Sequence, residues 1–367
     1  MQIIKNVKII NPNKIIECAN ILIQNNKIKD IIITNNKPEF IVVPGFIDTH
    51  IHGFYNYDIM QGQKAVEIIS RKLALKGTTA FMPTLMTNKW EVILDALKNV
   101  SKNKKWVSRN LGLHLEGPFI GPSKKGAHKP EYLKKASLKD INTLYQASQQ
   151  KLIKVSFDPL MVGLKEFLHM KKLGIIGSIG HSNVDMHLAN KYFENGCFSV
   201  CHAWNAMSGI DSRNPGLLQA SLMNQNVYLE IIFDLLHISK ESLTFTFINK
   251  GYDKIIAISD AIKPAYYKNG ENISGDIAVV KKGLKITLKD SKTIAGSGIC
   301  IHDAFKNLIK IGVHPCDVVK MTSYNSAKYL NLDNQLGKIQ KNYLADLVLM
   351  DTKYRIKHVY INGQKIK

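Results

Sequence analysis

Short stretches of alternating apolar and polar residues open and close the chain. Alternation over a few residues is typical of strands with one buried face. It predicts strands near both ends, at Ile3–Ile10, Ile15–Ile23, Ile28–Thr34, Ala345–Met350 and His358–Ile361. Turn residues such as Asn11-Pro12-Asn13 separate the early strands. We therefore expect a small sheet domain that combines residues 1–43 with residues 336–367.

Between these ends, short apolar runs alternate with stretches of helical periodicity, such as Val184–Asn195 and Asp303–Ile311. Eight runs have the length and composition of buried strands: Phe46–His52, Thr79–Thr84, Leu111–Glu116, Ile153–Asp158, Ile175–Gly180, Cys197–His202, Val227–Phe233 and Ile255–Asp260. Eight strand–helix units predict an α/β fold, a (β/α)8 TIM-type barrel over residues 44–335. An insertion of hairpin character, with its turn at Lys281-Lys282-Gly283, interrupts the last unit.

Composition narrows the class of protein. The chain has 367 residues, 45% of them hydrophobic, which is enough for one large barrel. Its formal net charge of +21 would suit a nucleic-acid surface. The lysines are scattered rather than massed in one tract, so we favour a compositional bias or a small anionic substrate and expect no nucleic-acid partner. A positive surface would still speed the arrival of a phosphorylated ligand.

Cysteine usage and hydropathy indicate the compartment. The five cysteines form no CxxC pair, as expected in a reducing cytosol. Cys201 precedes a candidate ligand on a strand, so we expect it to point the other way, into the core. No apolar stretch reaches 18 residues, and we expect a cytoplasmic protein without a membrane segment.

The stretch Pro44–Gly53 carries the first candidate chemistry. It reads as a buried strand ending in His50 and His52, and the strand period of two places both imidazoles on one face with Asp48. Two histidines on one buried face each need a polar partner. They could form half of a metal site or be two separately satisfied polar groups.

Four further polar residues end four other predicted strands: Glu116, His181, His202 and Asp260. Catalytic residues of such barrels lie at the carboxyl ends of the strands, so all six should face one mouth. Histidines with carboxylates suit zinc, iron or manganese. Each residue could instead be a separately satisfied polar group, but six of them on five strand ends argue against that alternative. A bound divalent ion lowers the pKa of water to roughly 7, and Asp260 could move the proton to a leaving amine. This chemistry hydrolyses an amide or a related C–N bond.

Two loops and the segment that follows the seventh strand offer candidate substrate contacts. Arg213 follows the His202 motif and has the fork geometry that suits phosphate or carboxylate, although a lone arginine is more often only a surface residue. His128 lies in a long loop after the third barrel strand. It could polarise a carbonyl, bind an anion or cap a turn. His237 lies a few residues past the seventh strand.

These motifs together resemble a known family. The first-strand motif is similar to that of the amidohydrolase superfamily. Within this superfamily, the chain resembles the N-acetylglucosamine-6-phosphate deacetylase family nearly end to end. Besides the first-strand motif, four stretches carry this resemblance: His114-Leu115-Glu116-Gly117-Pro118-Phe119, Gly180-His181-Ser182-Asn183, His202-Ala203-Trp204-Asn205-Ala206-Met207 and Ser259-Asp260-Ala261. The resemblance implies a barrel with a small β-sandwich made from both terminal segments, and a homodimer.

The resemblance also implies roles. Glu116, His181 and His202 would bind the main divalent ion, and His50 and His52 a second one. Zn²⁺ is the first choice, with Fe²⁺, Mn²⁺ or Co²⁺ as alternatives, at one or two ions per chain. Asp260 would be the catalytic acid/base and His128 would orient the acetyl carbonyl. Sugar and phosphate would contact Ala127, Asn205, Ala206, His237, Ile294, Ala295 and Gly296, and Arg213 would reach phosphate across the dimer interface.

The sequence therefore predicts hydrolysis of the N-acetyl amide of N-acetylglucosamine 6-phosphate to glucosamine 6-phosphate and acetate. Three alternatives stay open: an amidohydrolase for another N-acyl amino sugar or a cyclic amide, a basic nucleic-acid-binding barrel, and an inactive scaffold without stoichiometric metal. Phe233-Asp234-Leu235-Leu236-His237 departs from the family pattern and leaves the sugar epimer open.

Overall fold

Two large sheets organise residues 1–102 and 106–367, which are those that the computed structural model describes. The strands are β1 (Gln2–Ile10), β2 (Ile15–Gln24), β3 (Lys27–Ile33), β4 (Phe40–Pro44), β5 (Phe46–Ile51), β6 (Gly53–Phe54), β7 (Tyr57–Asp58), β8 (Thr78–Met86), β9 (Arg109–Asn110), β10 (Leu113–Glu116), β11 (Leu152–Phe157), β12 (Ile176–Ile179), β13 (Ser199–Val200), β14 (Tyr228–Ile232), β15 (Ile255–Ile258), β16 (Gly270–Ser274), β17 (Ile277–Lys282), β18 (Lys285–Leu288), β19 (Leu347–Met350), β20 (Ile356–Ile361) and β21 (Gln364–Lys365). The α-helices are α1 (Gln63–Ala74), α2 (Trp90–Val100), α3 (Leu138–Ala147), α4 (Leu164–Lys172), α5 (Met186–Glu194), α6 (Leu217–Met223), α7 (Lys240–Lys250), α8 (Ile301–Lys310), α9 (Pro315–Val319) and α10 (Asn325–Tyr329). Short 3₁₀ segments occur at Ile59–Gln61, Pro122–Lys124 and Pro130–Tyr132, and a π-helical segment at Lys320–Tyr324.

The larger sheet is the barrel. β5, β8, β10, β11, β12, β13, β14 and β15 follow one another in sequence order, and each pairs in parallel with the next. The first and last strands meet just beyond their ends, where Asp260 N donates to His50 O at 2.9 Å and His52 N donates to Ala261 O at 2.8 Å. The predicted (β/α)8 barrel is confirmed.

The strands and helices form where the apolar pattern predicts them, with ends shifted by one or two residues. α5 shows why: the Asp185 side chain accepts the Leu188 N–H at 2.8 Å, so the helix begins at Met186 rather than at the first apolar residue, Val184. Tyr192 and Phe193 of this helix are buried against the barrel. The barrel core therefore combines apolar side chains of the strands with the apolar faces of the surrounding helices.

Residues from both ends of the chain build the second large sheet, which has the order β21-β20-β19-β4-β1-β2-β3. β4 runs parallel to β1 on one side and antiparallel to β19 on the other. Only Gly45 separates β4 from β5, and a Cβ there would lie 2.0 Å from Thr79 Oγ1. The first barrel strand thus continues directly from the terminal sheet, and the predicted combination of barrel and terminal sheet is confirmed.

The insertion in the last unit is a three-stranded antiparallel sheet, β16-β17-β18. Lys281 and Lys282 lie in β17, so the turn falls at Gly283, whose φ of +62° favours glycine. Asp58 fixes the other turn, because its Oδ2 accepts from Ser274 Oγ at 3.0 Å and from Gly275 N at 2.8 Å. Ile277 and Val279 are thereby held over the barrel mouth.

The described residues show two further features that bear on the environment of the protein. All five cysteines are buried and unbridged. Within residues 1–102 and 106–367, no helix combines the length and the apolar character needed to cross a membrane.

Candidate metal centre and substrate pocket

Three predicted ligands form a first group at the carboxyl ends of β10, β12 and β13. Glu116 ends β10, His181 follows β12 by two residues, and His202 follows β13 by two. Glu116 Oε1 lies 3.0 Å from His202 Nε2 and 3.3 Å from His181 Nε2, and the two imidazole nitrogens are 3.0 Å apart. One ligand atom from each residue lies within 4.8 Å of the others.

A second group shares Glu116 with the first. His50 Nε2 and His52 Nε2 face each other at 3.0 Å. Glu116 Oε2 lies 3.1 Å from His52 Nε2, and Glu116 Oε1 lies 3.5 Å from His50 Nε2. Glu116 therefore stands between the two groups and can serve both.

Asp260 and His128 complete the cluster. Asp260 Oδ1 lies 3.5 Å from His50 Nε2 and 3.4 Å from His52 Nε2. His128 Nε2 lies 3.4 Å from Glu116 Oε2, and its ring meets that of His181 edge-on. Asp260 is 8% exposed and His128 4%. Interactions between these groups therefore act in a poorly hydrated environment, where they are stronger than in water.

The backbone leaves the strands in an unusual conformation at three of these residues. φ is +49° at His181, +27° at His202 and +49° at Asp260. Non-glycine residues rarely adopt positive φ, and such conformations cluster at functional sites. His181 is fixed further by its Nδ1, which lies 2.8 Å from Lys124 O. With the proton on Nδ1, its Nε2 lone pair points at the cluster.

Charge in the cluster is organised by the two carboxylates. Burial favours the neutral acid, but His50 and the hydrogen bonds from His128, His181 and His202 hold the pKa of Glu116 well below its usual value. Burial is likewise outweighed at Asp260, where His50 and His52 lower the pKa. Burial opposes protonation of His52, yet hydrogen bonds to Asp260 and Glu116 raise its pKa to about 9. At His181 burial prevails and lowers the pKa to about 4.

These residues fit a divalent cation. Two ionised carboxylates draw positive charge into a buried space, and two pairs of Nε2 atoms face each other at 3.0 Å around them. Nitrogen and oxygen donors of this kind are those that Zn²⁺ and related ions take. The donor set thus supports a metal centre with two adjoining positions.

A cavity of about 460 Å³ opens above the cluster. Asn205, Ala206 and His237 line it, together with apolar side chains from β8 and from the insertion. His237 Nδ1 is held at 2.7 Å from Asp234 Oδ2, which leaves its Nε2 for a ligand. A polar molecule with an apolar substituent would match these walls.

Comparison with known proteins decides the family. The profile of the amidohydrolase family matches residues 41–366. This chain belongs to the amidohydrolase family.

The amidohydrolase has similar relatives of known activity. An N-acetylgalactosamine-6-phosphate deacetylase from Escherichia coli O157:H7 is 28% identical and covers 88% of this chain and 87% of the relative. An N-acetylglucosamine-6-phosphate deacetylase from Bacillus subtilis is 29% identical and covers 95% and 93%. The crystal structure of N-acetylglucosamine-6-phosphate deacetylase from Thermotoga maritima superposes with a TM-score of 0.91 at 28% identity, over 100% of this chain and 99% of that one.

The structure brings most of the sequence-predicted residues of this amidohydrolase together. The predicted residues that line the cavity are His52, Glu116, Ala127, His128, His181, His202, Asn205, Ala206, His237, Asp260, Ile294, Ala295 and Gly296. His50 lies just behind them and is fully buried. Arg213 does not line the cavity of its own chain and lies in an exposed loop. Its predicted role therefore depends on a second subunit.

One sequence prediction about the amidohydrolase is wrong in part, because Cys201 is buried as expected but does not point away from its neighbour on the chain. We expected Cys201 to point away from His202, but its Sγ lies 3.4 Å from His50 Nδ1 and 3.9 Å from Glu116 Oε1. β13 ends at Val200, and the chain turns at the next two residues. The side-chain alternation of a strand therefore no longer applies at Cys201.

Sequence reasoning also missed a buried ion pair below the cluster, between Lys154 on β11 and Glu230 on β14. A signal was present, because each charge interrupts an apolar run of the kind that forms a strand buried on both faces. Sequence reasoning also did not predict that apolar side chains of the insertion line the cavity, because no local sequence pattern shows where a hairpin packs.

Proposed function

We propose that this amidohydrolase removes the acetyl group from N-acetylglucosamine 6-phosphate, giving glucosamine 6-phosphate and acetate. The observation that carries the proposal is the convergence of Glu116, His181, His202, His50 and His52 with Asp260 at the barrel mouth. The deacetylase relatives support the substrate class. Neither a nucleic-acid surface nor an inactive scaffold needs ligand-type residues gathered at one point.

Glu116, His181 and His202 would hold the main ion, and His50 and His52 would hold a second one with Glu116. Zn²⁺ suits this nitrogen-rich set best, with Fe²⁺, Mn²⁺ and Co²⁺ as alternatives. When bound, such an ion supplies Lewis-acid polarisation of the amide carbonyl and a nucleophile from water at neutral pH. The protein contributes the fixed positions of the donors and a buried surrounding.

Asp260 would carry the proton. Its carboxylate is ionised in the buried cluster, so it can accept a proton from the attacking water and deliver it to the departing amine nitrogen. His128 projects into the same cavity from the loop after β10. Its Nε2 would donate to the acetyl oxygen and stabilise the negative charge that develops there.

The remaining cavity residues would hold the sugar phosphate. Asn205, Ala206 and His237 line the cavity, as do Ala127 and the stretch 294–296. Backbone N–H groups, an amide and an imidazole can donate to phosphate and hydroxyl oxygens. Together they would orient the acetyl group toward Asp260.

Arg213 is assigned a role between subunits. Because it does not line the cavity of its own chain, we propose that the protein is a homodimer in which Arg213 binds the phosphate in the partner's cavity. We further propose that the protein is cytoplasmic, in keeping with its five unbridged cysteines. For the domain division we propose residues 44–335 as the barrel, with 1–43 and 336–367 as the sheet domain.

Substitution of Arg213 by alanine is expected to raise KM for N-acetylglucosamine 6-phosphate about 10- to 100-fold, since a hydrogen bond to a charged group contributes roughly 1.5–3 kcal/mol. Activity on the unphosphorylated sugar should change little. Steady-state kinetics on both sugars checks this, with Arg71→Ala as the matched exposed arginine. Equal losses on the two sugars would contradict the phosphate role.

Mixed dimers test whether Arg213 acts across an interface. When Arg213→Ala and Asp260→Asn chains are unfolded or dissociated together and reassembled, half of the dimers contain one chain of each kind. One of their two sites then has both residues intact. At substrate concentrations well below KM, where both parent dimers are nearly inactive, about a quarter of wild-type activity should therefore return. No recovery from a dimeric mixture would place Arg213 in its own chain's site.

Removal of the ion tests the function directly. Acetate release from N-acetylglucosamine 6-phosphate should fall in proportion to the metal content after chelation and return when Zn²⁺ is added back. Acetate release and metal content are measured on the same sample. Full activity in a sample stripped of metal would overturn the proposed mechanism.

N-acetylgalactosamine 6-phosphate is the second candidate substrate, because the Escherichia coli relative that acts on the galactose epimer is almost as similar as the Bacillus subtilis one. Comparison of kcat/KM on the two epimers decides between them. The glucose epimer is expected to give the higher value.

A further inference from the structure

A layer of buried polar side chains lies inside the barrel beneath the ligand groups. Lys154 and Glu230 are both fully buried and form an ion pair between Nζ and Oε1. Thr49 Oγ1 donates to the same oxygen at 2.6 Å. The other oxygen, Glu230 Oε2, is buried and has no hydrogen-bond partner among the described residues. A buried carboxylate oxygen without a donor is costly and calls for an explanation.

Cys201 joins this layer to the ligand cluster. Its Sγ lies 3.4 Å from His50 Nδ1 and 3.9 Å from Glu116 Oε1. One ring nitrogen of His50, the sulfur of Cys201 and a carboxylate oxygen of Glu230 all lie within 4.8 Å of one another. Cys201 is fully buried, so the thiol meets these groups rather than solvent.

His50 needs a hydrogen-bond acceptor at this place. Its Nε2 faces His52, Glu116 and Asp260. An imidazole that binds an ion through Nε2 carries its proton on Nδ1, and a second group normally accepts that proton and fixes the ring. Among the described residues, the partner of His50 Nδ1 is Cys201 Sγ.

A cation is the other occupant that His50, Cys201 and Glu230 could share, and Lys154 argues against it. The ammonium group already balances the charge of Glu230. A second cation beside it would be repelled at short range in a medium of low dielectric constant. His50 would also have to give up both ring protons to bind ions on both sides.

We propose that Cys201 is a positioning residue of the metal centre, whose sulfur accepts the Nδ1 proton of His50 while its thiol proton points toward Glu116 Oε1. The Lys154–Glu230 pair lies next to the sulfur. The inference rests on the proposed function in one respect, that His50 is a metal ligand. Without the sulfur, His50 must either leave a buried N–H unpaired or move its proton to Nε2, where it blocks the lone pair.

The test compares Cys201→Ala, which removes the acceptor, with Cys201→Ser, which keeps one. Zn²⁺ affinity is measured by competition with a chromophoric chelator, and His50→Ala identifies the ion that depends on His50. For that ion Cys201→Ala should bind about 10- to 100-fold more weakly, as is usual when the partner of a ligating histidine is removed. Cys201→Ser should restore most of the affinity.

Cys197→Ala is the matched control. Cys197 is also buried, but its Sγ donates to the Gly177 backbone carbonyl at 3.3 Å, away from the cluster. Its affinity for Zn²⁺ should match that of the unchanged protein.

Several results would overturn the inference: unchanged affinity in Cys201→Ala, equal weakening in Cys201→Ser, or unchanged metal content in His50→Ala. Failure of the proposed function looks different. A protein that binds Zn²⁺ with this pattern but releases no acetate from the phosphorylated sugar would refute the substrate and leave the role of Cys201 intact.

Discussion

Asp260→Asn is expected to lower turnover of N-acetylglucosamine 6-phosphate by roughly two to four orders of magnitude, the range typical for loss of a general acid–base group. The amide can neither accept a proton from water nor deliver one to the amine. The substitution preserves size, and the backbone N–H of residue 260 still donates to His50 O. The ion should therefore remain. Single-turnover kinetics and metal content on the same preparation measure the effect.

A carboxylate outside the cluster provides the control for this variant. Asp276 forms an ion pair with Lys129 at 2.7 Å on the insertion and is partly exposed. Asp276→Asn should keep near-normal turnover. Near-normal turnover in Asp260→Asn, with its ion in place, would remove Asp260 from the proton-transfer step.

Lys154→Met is expected to destabilise the fold by about 3–5 kcal/mol, because it leaves the buried Glu230 carboxylate without its ammonium partner. Both side chains are fully buried, so water cannot replace the lost interaction. Thr49 Oγ1 still donates to Glu230 but carries no charge. Denaturant unfolding of metal-loaded protein, followed by circular dichroism, measures the loss.

Two further variants serve as controls for Lys154→Met. Lys8→Met breaks an ion pair with Glu17 whose side chains are 30% and 78% exposed, and should cost at most about 1 kcal/mol. Lys154→Met combined with Glu230→Leu removes both charges and should recover most of the stability. If Lys154→Met is no more harmful than Lys8→Met, the buried pair is not a structural element of the barrel.

The barrel could be predicted from sequence because parallel strands buried on both faces read as continuous apolar runs, and surrounding helices read as 3.6-residue patterns. Strand ends were less certain. The run Cys197–His202 yields only Ser199–Val200, since the positive φ of His202 belongs to a turn that apolar patterning does not reveal. Because the strand ends two residues earlier than predicted, the predicted direction of the Cys201 side chain was wrong.

The cluster of candidate metal ligands could be predicted for the same reason as the barrel. Polar residues that end buried strands stand out against their apolar neighbours, and the fold brings strand ends together. Contacts across the barrel could not be predicted from the sequence. Lys154 and Glu230 are 76 residues apart, and only the finished geometry selects their pairing. The position of Ile277 over the cavity likewise depends on how Asp58 holds the insertion.

The neighbours of β4 have a consequence for biosynthesis. β4 pairs with β1, which is made before it, and with β19, which follows roughly 300 residues later. At ribosomal rates of about 5–20 residues per second, one edge of β4 waits on the order of 15–60 s for its partner. During that interval the unpaired edge of β4, which continues directly into the first barrel strand, can pair with a strand of another chain. Nascent chains should therefore depend on chaperones until the last strands emerge, and a late nonsense mutation should yield aggregates rather than a folded barrel.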